Sequence, residues 1–134
     1  ELAGQLGADR VMDPTQEDAY PHDRFSSEAF DLAVGCTGLS PAVEFLMERT
    51  RNVVVLFGVL REPVRFGFKQ WCRALHLVGD GDHNRQAAVR ALDHIVAGRV
   101  SLKPLITRTL PLADYAQGVE LLRNQGSIKV CFIP

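Results

Sequence analysis

At 134 residues, 46% of them hydrophobic and with a formal net charge of −1, the chain has the length and apolar content of a globular domain. The balanced charge, with no local run of Lys or Arg, excludes a general electrostatic footprint for nucleic acid. No apolar stretch approaches the roughly twenty residues of a membrane span, and no signal-peptide pattern opens the chain. Cys36, Cys72 and Cys131 are odd in number and widely spaced, without a CxxC pair, so reduced thiols and a cytoplasmic location are expected.

In chain order, "ELAGQLG" reads as the back half of a helix, with Leu2, Ala3 and Leu6 on one face and Gly7 at the left-handed closing position. "DRVMD" (9–13) reads as a short strand, and the polar segment 14–29 as a surface loop with a short helix. "FDLAVGC" (30–36) reads as a strand, followed by the turn "TGLS". Ser40 is the expected hydroxyl cap of a helix with Pro41 in its first turn, and Ala42, Val43, Leu46 and Met47 give that helix an apolar face to about Arg49. "NVVVLFGV" holds five consecutive apolar residues, the mark of a strand covered on both sides, and Gly58 ends it. "REPVRFGF" reads as loop and "ALHLVG" (74–79) as a strand. In the turn "GDGDHN", Asp82 or Asn84 is the expected cap of the next helix, where Ala88, Val89, Leu92, Ile95 and Val96 recur at spacings of three and four before Gly98. "PLITRTL" is a strand. Pro111 starts a helix with Leu112, Tyr115, Ala116, Val119 and Leu122 on one face, closing at Gly126, and "SIKVCFI" is the final strand. This alternation predicts an α/β fold with a mainly parallel sheet.

In such a sheet ligands sit at the carboxyl ends of the strands. Cys36-Thr37-Gly38 and Phe57-Gly58-Val59 occupy two such ends, and their small residues would let a flat ring or a ribose approach the main chain. The plainer alternative is that Gly38 and Gly58 only make turns. "GDGDH" lacks the third acid and closing Glu of a calcium loop. His22, His76, His83 and His94 have no metal-ligand spacing, and His94 is expected to face solvent. Asp9 and Asp31 read as solvated or capping groups, and Lys129 as a surface cation. Trp71, with Phe66 and Phe68, reads as core packing, or as cover for an edge or interface. There is no nucleophile–base pair, metal cluster or GxGxxG turn, and no residue is assigned a catalytic role.

The segments "ELAGQLGADRVMDP", "FDLAVGCTGLSPAVEFL", "NVVVLFGV", "ALHLVG" and "AGRVSLKPLITRTLPLADYAQGVELLRNQGSIKV" together resemble the C-terminal part of the zinc-type medium-chain alcohol dehydrogenases, the family of alcohol, polyol and threonine dehydrogenases. The similarity covers nearly the whole chain, and "PLITRTLPLADYAQGVELLRNQGSIKV" is its most specific stretch. It implies a partial Rossmann-type sheet, doubly wound and mainly parallel, flanked by helices and lacking the family's first two strands. Residues 1–80 would be a partial dinucleotide-binding domain and 81–134 the return segment to the catalytic domain. It also implies a parent enzyme that uses NAD or NADP, a catalytic zinc with no ligand in this chain, and a small-molecule alcohol substrate. A homo-oligomeric assembly is implied as well. The phosphate-binding turn, zinc ligands and proton relay would precede Glu1, so the chain alone is expected to be inactive. Alternatives are a zinc-free quinone-reductase-like member, or a non-catalytic nucleotide-binding or assembly module on the same fold.

Carried over residue by residue, Cys36, Thr37 and Gly38 match the family's adenine-side wall. Phe57, Gly58 and Val59 match the strand end that meets the nicotinamide and its ribose. Lys129 matches a basic residue directed to the cofactor phosphates, where Lys gives up the bidentate binding of Arg. Gly35 stands where an acid is common, and "ERTRN" replaces the usual Pro-Gly-Gly turn. With the family's strand order 3-2-1-4-5-6, strand 9–13 would be orphaned from the block 30–35, 53–57 and 74–79. The expectation is that it moves beside 30–35, or that this open edge pairs with a second chain. Pairing of family members through the last strand would place a subunit contact near 74–79 and Trp71.

Overall fold

The β-branched run Val53-Val54-Val55 forms the middle of a three-stranded parallel sheet in the computed structural model, which describes residues 2–16, 20–72, 74–79, 81 and 84–134. The chain divides into two units, Ala3–His83 and Asn84–Pro134. The first contains α1 (Leu2–Gln5) from Ala3 onward, β1 (Phe30–Gly35), α2 (Ser40–Arg49), β2 (Thr50–Leu56), α3 (Phe68–Trp71) and β3 (His76–Gly79). The second contains α4 (Arg85–Val96), β4 (Ile106–Pro111), α5 (Tyr115–Arg123) and β5 (Lys129–Ile133), with 3-10 turns at Lys103–Leu105 and Leu112–Asp114. Both sheets are parallel and flanked by helices, as the α/β alternation predicts. No helix among the described residues is long and apolar enough to cross a membrane.

In the first unit the strand order is β1-β2-β3, with Ala33 opposite Val54 and Val54 opposite Leu77. α2 covers one face: Val43 and Met47 pack on Ala33, Val54 and Leu75 in the buried cluster, with Leu46, Leu56, Leu60 and Val64 around it. The opposite face is open. Leu32, Val34 and Val78 stand about half exposed, and every residue of β3 is exposed, so the expected cover on both sides is not present. α2 runs straight into β2: Arg49 is the last helical residue and Thr50, already extended at φ −111 and ψ 130, is the first of the strand.

Several expectations change. Residues 9–13 form no strand. The Met12 carbonyl accepts the Tyr20 hydroxyl at 2.9 Å, and Asp13 accepts both the main-chain N–H and the hydroxyl of Thr15, at 2.9 and 2.7 Å. Side chains therefore satisfy groups that a ladder would use. Among the described residues the outer edge of β1 has no partner strand, and segment 9–13 has not moved beside it. Segment 14–29 shows no helix among its described residues, and residues 17–19 lie outside them. Nor is it all surface, because Arg24 is fully buried. Its Nε donates to Thr50 O at 3.0 Å, Nη2 to Arg51 O at 2.8 Å, and Nη1 to Lys69 O and Cys72 O at 3.1 and 2.6 Å. One guanidinium thus ties the start of β2 to the last residues of α3.

α3 replaces part of the expected loop, and its aromatic residues are not core: Phe68 and Trp71 are exposed, their rings 5.9 Å apart. The last strand of this unit begins at His76, because Ala74 takes a positive φ of 49°. Asn84 caps α4 by accepting Ala87 N–H at 3.1 Å, while Asp82 lies outside the described residues. The periodic apolar face of α4 is present, but none of its residues is buried. His94 is exposed and its Nδ1 accepts from Arg99 Nε at 2.9 Å.

In the second unit β4 pairs with β5 in parallel. Pro111 closes β4 rather than opening the helix, which begins at Tyr115. α5 ends at Arg123, and the left-handed residue is Gln125 at φ 55°, one before the expected Gly126. The N–H of Gly126 reaches back to Leu121 O at 2.8 Å, completing a Schellman-type end. At Gly118 a Cβ would collide with the Phe132 ring, so the absence of a side chain sets how closely α5 lies on β5.

Arg24→Ala removes this donor from the buried Thr50 carbonyl and from the part-buried carbonyls of Arg51, Lys69 and Cys72. It should cost roughly 3 kcal/mol in urea denaturation, since each unmatched buried acceptor costs about 1–3 kcal/mol before relaxation. Arg24→Lys should recover only part of this, because an ammonium cannot span the same fan of acceptors.

Candidate functional site

β1 and β2 are parallel and in register to their ends, Gly35 opposite Leu56, so the chain leaves both strands at one edge of the sheet. The two exit segments, 36–38 and 57–59, lie against each other there. Gly35 O accepts both Phe57 N–H and Gly58 N–H, at 3.0 and 2.8 Å. Gly38 has φ +71°, and a Cβ on it would fall on the Val59 carbonyl. A Cβ on Gly58 would collide with Gly38 N and lie 2.8 Å from Cys36 C and O. Both glycines are therefore required for close main-chain approach, and at Gly38 also for a left-handed turn. The turn-only alternative accounts for neither contact.

Three hollows adjoin this seam among the described residues. One of about 410 Å3 lies between the two exit segments and the start of α2, where Thr37, Gly38, Ser40, Val59, Arg61 and Glu62 face it. One of about 350 Å3 lies on the other side of Phe57-Gly58-Val59, towards Gly79 and Gly81. The third, about 480 Å3 and mostly apolar, runs beside the free edge of β1 between Tyr20, Val34, Cys36 and Phe45. Thr37 Oγ1 accepts Leu39 N–H at 3.2 Å, which orients the turn into α2. Leu39 is the N-cap residue; Ser40 is already helical, and its buried hydroxyl donates to Glu62 O at 2.9 Å instead of capping.

Six of the seven expected contact residues thus come together: Cys36, Thr37, Gly38, Phe57, Gly58 and Val59. Phe57 and Val59 are exposed, 68% and 81%, so this wall is offered as main chain with its side chains outward. Lys129 is the exposed first residue of β5, in the second unit. Cys36 is an exposed free thiol. Asp31, a flanking acid, is paired with Arg51 at 2.9 Å and lies at the opposite end of β1 from the seam. No three His, Cys, Asp or Glu side chains converge as metal ligands among the described residues.

Sequence reasoning missed Arg61, Glu62, Ser40 as a cross-link, and the Glu44–Arg65 pair. Arg65 N–H donates to Glu44 Oε1 at 2.9 Å, and its guanidinium forks the carboxylate, Nη2 reaching Oε2 at 2.7 Å and Nε both oxygens at 3.2 Å. The signal available was position: 61–65 follows directly on a strand end already picked out as a contact wall.

A parallel sheet with ligand-sized hollows at its carboxyl edge is the layout of an α/β nucleotide-binding fold. No protein-family model matches the chain. It is 25% identical over 135 residues to the L-threonine 3-dehydrogenase of Rhizobium johnstonii, covering 97% of this chain and 39% of that one. It is 28% identical over 144 residues to the L-threonine 3-dehydrogenase of Symbiobacterium thermophilum, covering 100% and 40%. It is 23% identical to YdjL, an uncharacterized zinc-type alcohol dehydrogenase-like protein of Escherichia coli K12. A structure assigned as a zinc-binding dehydrogenase from Sinorhizobium meliloti 1021, with NADP bound, superposes with a TM-score of 0.80 at 25% identity, over 99% of this chain and 41% of that one. An Escherichia coli oxidoreductase/dehydrogenase of unknown specificity shares the fold, with a TM-score of 0.81 at 19% identity, over 99% and 40%. The chain is a homologue of the threonine dehydrogenases and zinc-type alcohol dehydrogenase-like proteins, and it spans about two fifths of their length.

Gly58→Ala should force the two exit segments apart and cost about 1–3 kcal/mol, the usual range for overpacking. Thermal unfolding would measure this, with faster amide exchange centred on Gly58. Hydrogen bonds from the Arg65 side chain, then from its main chain, hold the Glu44 carboxyl below its ordinary value of 4.5. A carboxyl lowered in the folded state contributes stability above its unfolded pKa and loses it as pH falls through the folded value. Glu44→Gln should therefore reduce stability at neutral pH and flatten its acid-side decline, visible as a smaller loss of melting temperature below about pH 5.

Proposed function

We propose that this chain supplies the far half of a nicotinamide-dinucleotide site in a zinc-type, NAD(P)-dependent alcohol dehydrogenase. The single observation that carries the reading is the main-chain seam at Gly38 and Gly58, which presents the backbone of 36–38 and 57–59 at the carboxyl edge of a parallel sheet. The NADP bound in the Sinorhizobium neighbour supports it.

On this reading Cys36, Thr37 and Gly38 line the adenine side, and their small volumes leave room for a flat ring. The main chain of Phe57, Gly58 and Val59 meets the nicotinamide and its ribose. The exposed side chains of Phe57 and Val59 would shield the ring from water. Lys129 is assigned to the cofactor phosphates on the resemblance alone. The dinucleotide, when bound, supplies the acceptor or donor of the hydride that leaves or joins the alcohol carbon. Residues 1–80 would act as the partial dinucleotide-binding domain and 81–134 as the return segment. A zinc ion finds no ligand set among the described residues. The substrate would be a small alcohol, with L-threonine the first to try given the relatives' names. The parent would work as a homo-oligomer in the cytoplasm.

The 134 residues contain no GxGxxG phosphate turn, so this chain alone should be inactive and bind a dinucleotide only weakly. Titration with NADP, and separately with NAD, followed by amide NMR should shift the resonances of Cys36–Gly38 and Phe57–Val59 without approaching micromolar affinity. Saturating dinucleotide that leaves those resonances unmoved would sink the proposal, and micromolar binding by calorimetry would sink the weak-affinity claim.

A further inference from the structure

The loop 60–67 that continues from the exposed wall is tied to α2 along its length. Ser40 Oγ donates to Glu62 O at 2.9 Å, and one helical turn later Glu44 accepts the main chain and the guanidinium of Arg65. Leu60 and Val64 turn inward and pack on the buried cluster. The spacing is consistent: residues four apart on a helix lie on one face, and they engage loop residues three apart.

The wall itself has little else to hold it. The side chains of Phe57 and Val59 are largely solvated, and among the described residues it is Gly35 O that accepts the amides of Phe57 and Gly58 from the sheet side. Val59 also lies against Gly38, which has no side chain to grip it. The seam fixes 57–59 on the side of Gly38, and its far side is set by what fixes the loop.

We propose that Ser40, Glu44 and Arg65 are positioning residues: they strap loop 60–67 onto α2 and thereby hold the Phe57–Val59 main chain in the shape a nicotinamide dinucleotide meets. The ligand named rests on the function proposed above; the strap does not. A fork between a carboxylate and a guanidinium, backed by a main-chain N–H on the same carboxylate, fixes direction as well as distance. Small displacements of a wall that contacts a reacting ring are costly to orientation.

Amide hydrogen exchange on the intact chain tests the strap, with Ser40→Ala and Glu44→Ala as the disrupting variants. Exchange at Phe57 and Gly58 should accelerate about tenfold or more in each, while Val54 and Val55 in the preceding strand β2 keep their native protection. Glu44→Gln, whose amide oxygen still accepts Arg65 N–H, and Ser40→Thr, which keeps the hydroxyl, should restore much of the native rate. If Glu44→Ala fails to fold, Arg65→Lys removes the fork but leaves the main-chain bond, and should give an intermediate acceleration. Unchanged exchange at Gly58 would overturn the strap, and so would an equal acceleration throughout β2, which marks a merely structural role. NADP titration of the same variants separates the two ideas. If Gly58 responds but NADP moves no resonance of the native chain, the strap stands and the dinucleotide reading fails. If NADP shifts the native chain and both alanine variants with equal affinity, the positioning role fails.

Discussion

Two polypeptide backbones pressed together without side chains between them are the constraint on which the site depends. Gly38 and Gly58 follow their strands at the same sheet edge; a Cβ on Gly58 would stand on Gly38 N, and one on Gly38 would stand on the Val59 carbonyl. The contact converts two independent strand ends into one continuous ridge of main chain, with hollows on either side. A surface of this kind recognises a ligand through N–H and C=O groups whose positions the sheet has already fixed. Side-chain identity at 36, 37, 57 and 59 then tunes the fit without building it.

The other end of the same sheet is organised by the opposite means. There a single long side chain, Arg24, fans out to four carbonyls from the start of β2 and the last turn of α3. Burying a guanidinium is tolerable because four charge-assisted hydrogen bonds and the face of the Phe25 ring, 4.9 Å away, replace its water. One end of the layer is thus closed by the absence of side chains and the other by one large one. The apolar cluster of Val43, Met47 and Val54 lies in the same layer.

The elements with strong periodicity were legible in the amino-acid sequence: β1 and β2 from their apolar runs, α2, α4 and α5 from their three–four spacing. The two glycine-bearing strand ends were legible as a pair of sites because small residues after an apolar run point to a carboxyl edge. Their mutual packing was not, since it joins residues twenty apart and depends on register. Segment 9–13 reads as a strand by composition, but a strand exists only with a partner, and Tyr20 and Thr15 occupy its polar groups. Arg24 was hidden inside a polar stretch, where burial of a charge leaves no compositional trace. Ser40 followed by Pro41 carries the signature of a cap, yet the helix begins one residue early and the hydroxyl turns to Glu62. Trp71 and Phe68 have core chemistry and surface positions, and nothing in the letters separates the two.

The junction of α2 and β2 has a further implication for how this chain tolerates change in length. Helix and strand share a border with no linker residue, Arg49 on one side and Thr50 on the other. One residue inserted there would rotate the central strand by half a pleat, turning Val54 out of the cluster and bringing Val53 or Val55 into its place. Extra residues in loop 60–67 would leave the register of the strand intact, although between Glu62 and Arg65 they would break the spacing that ties the loop to α2. Insertions and deletions should therefore be excluded at this border, which makes it a fixed datum for aligning any distant relative.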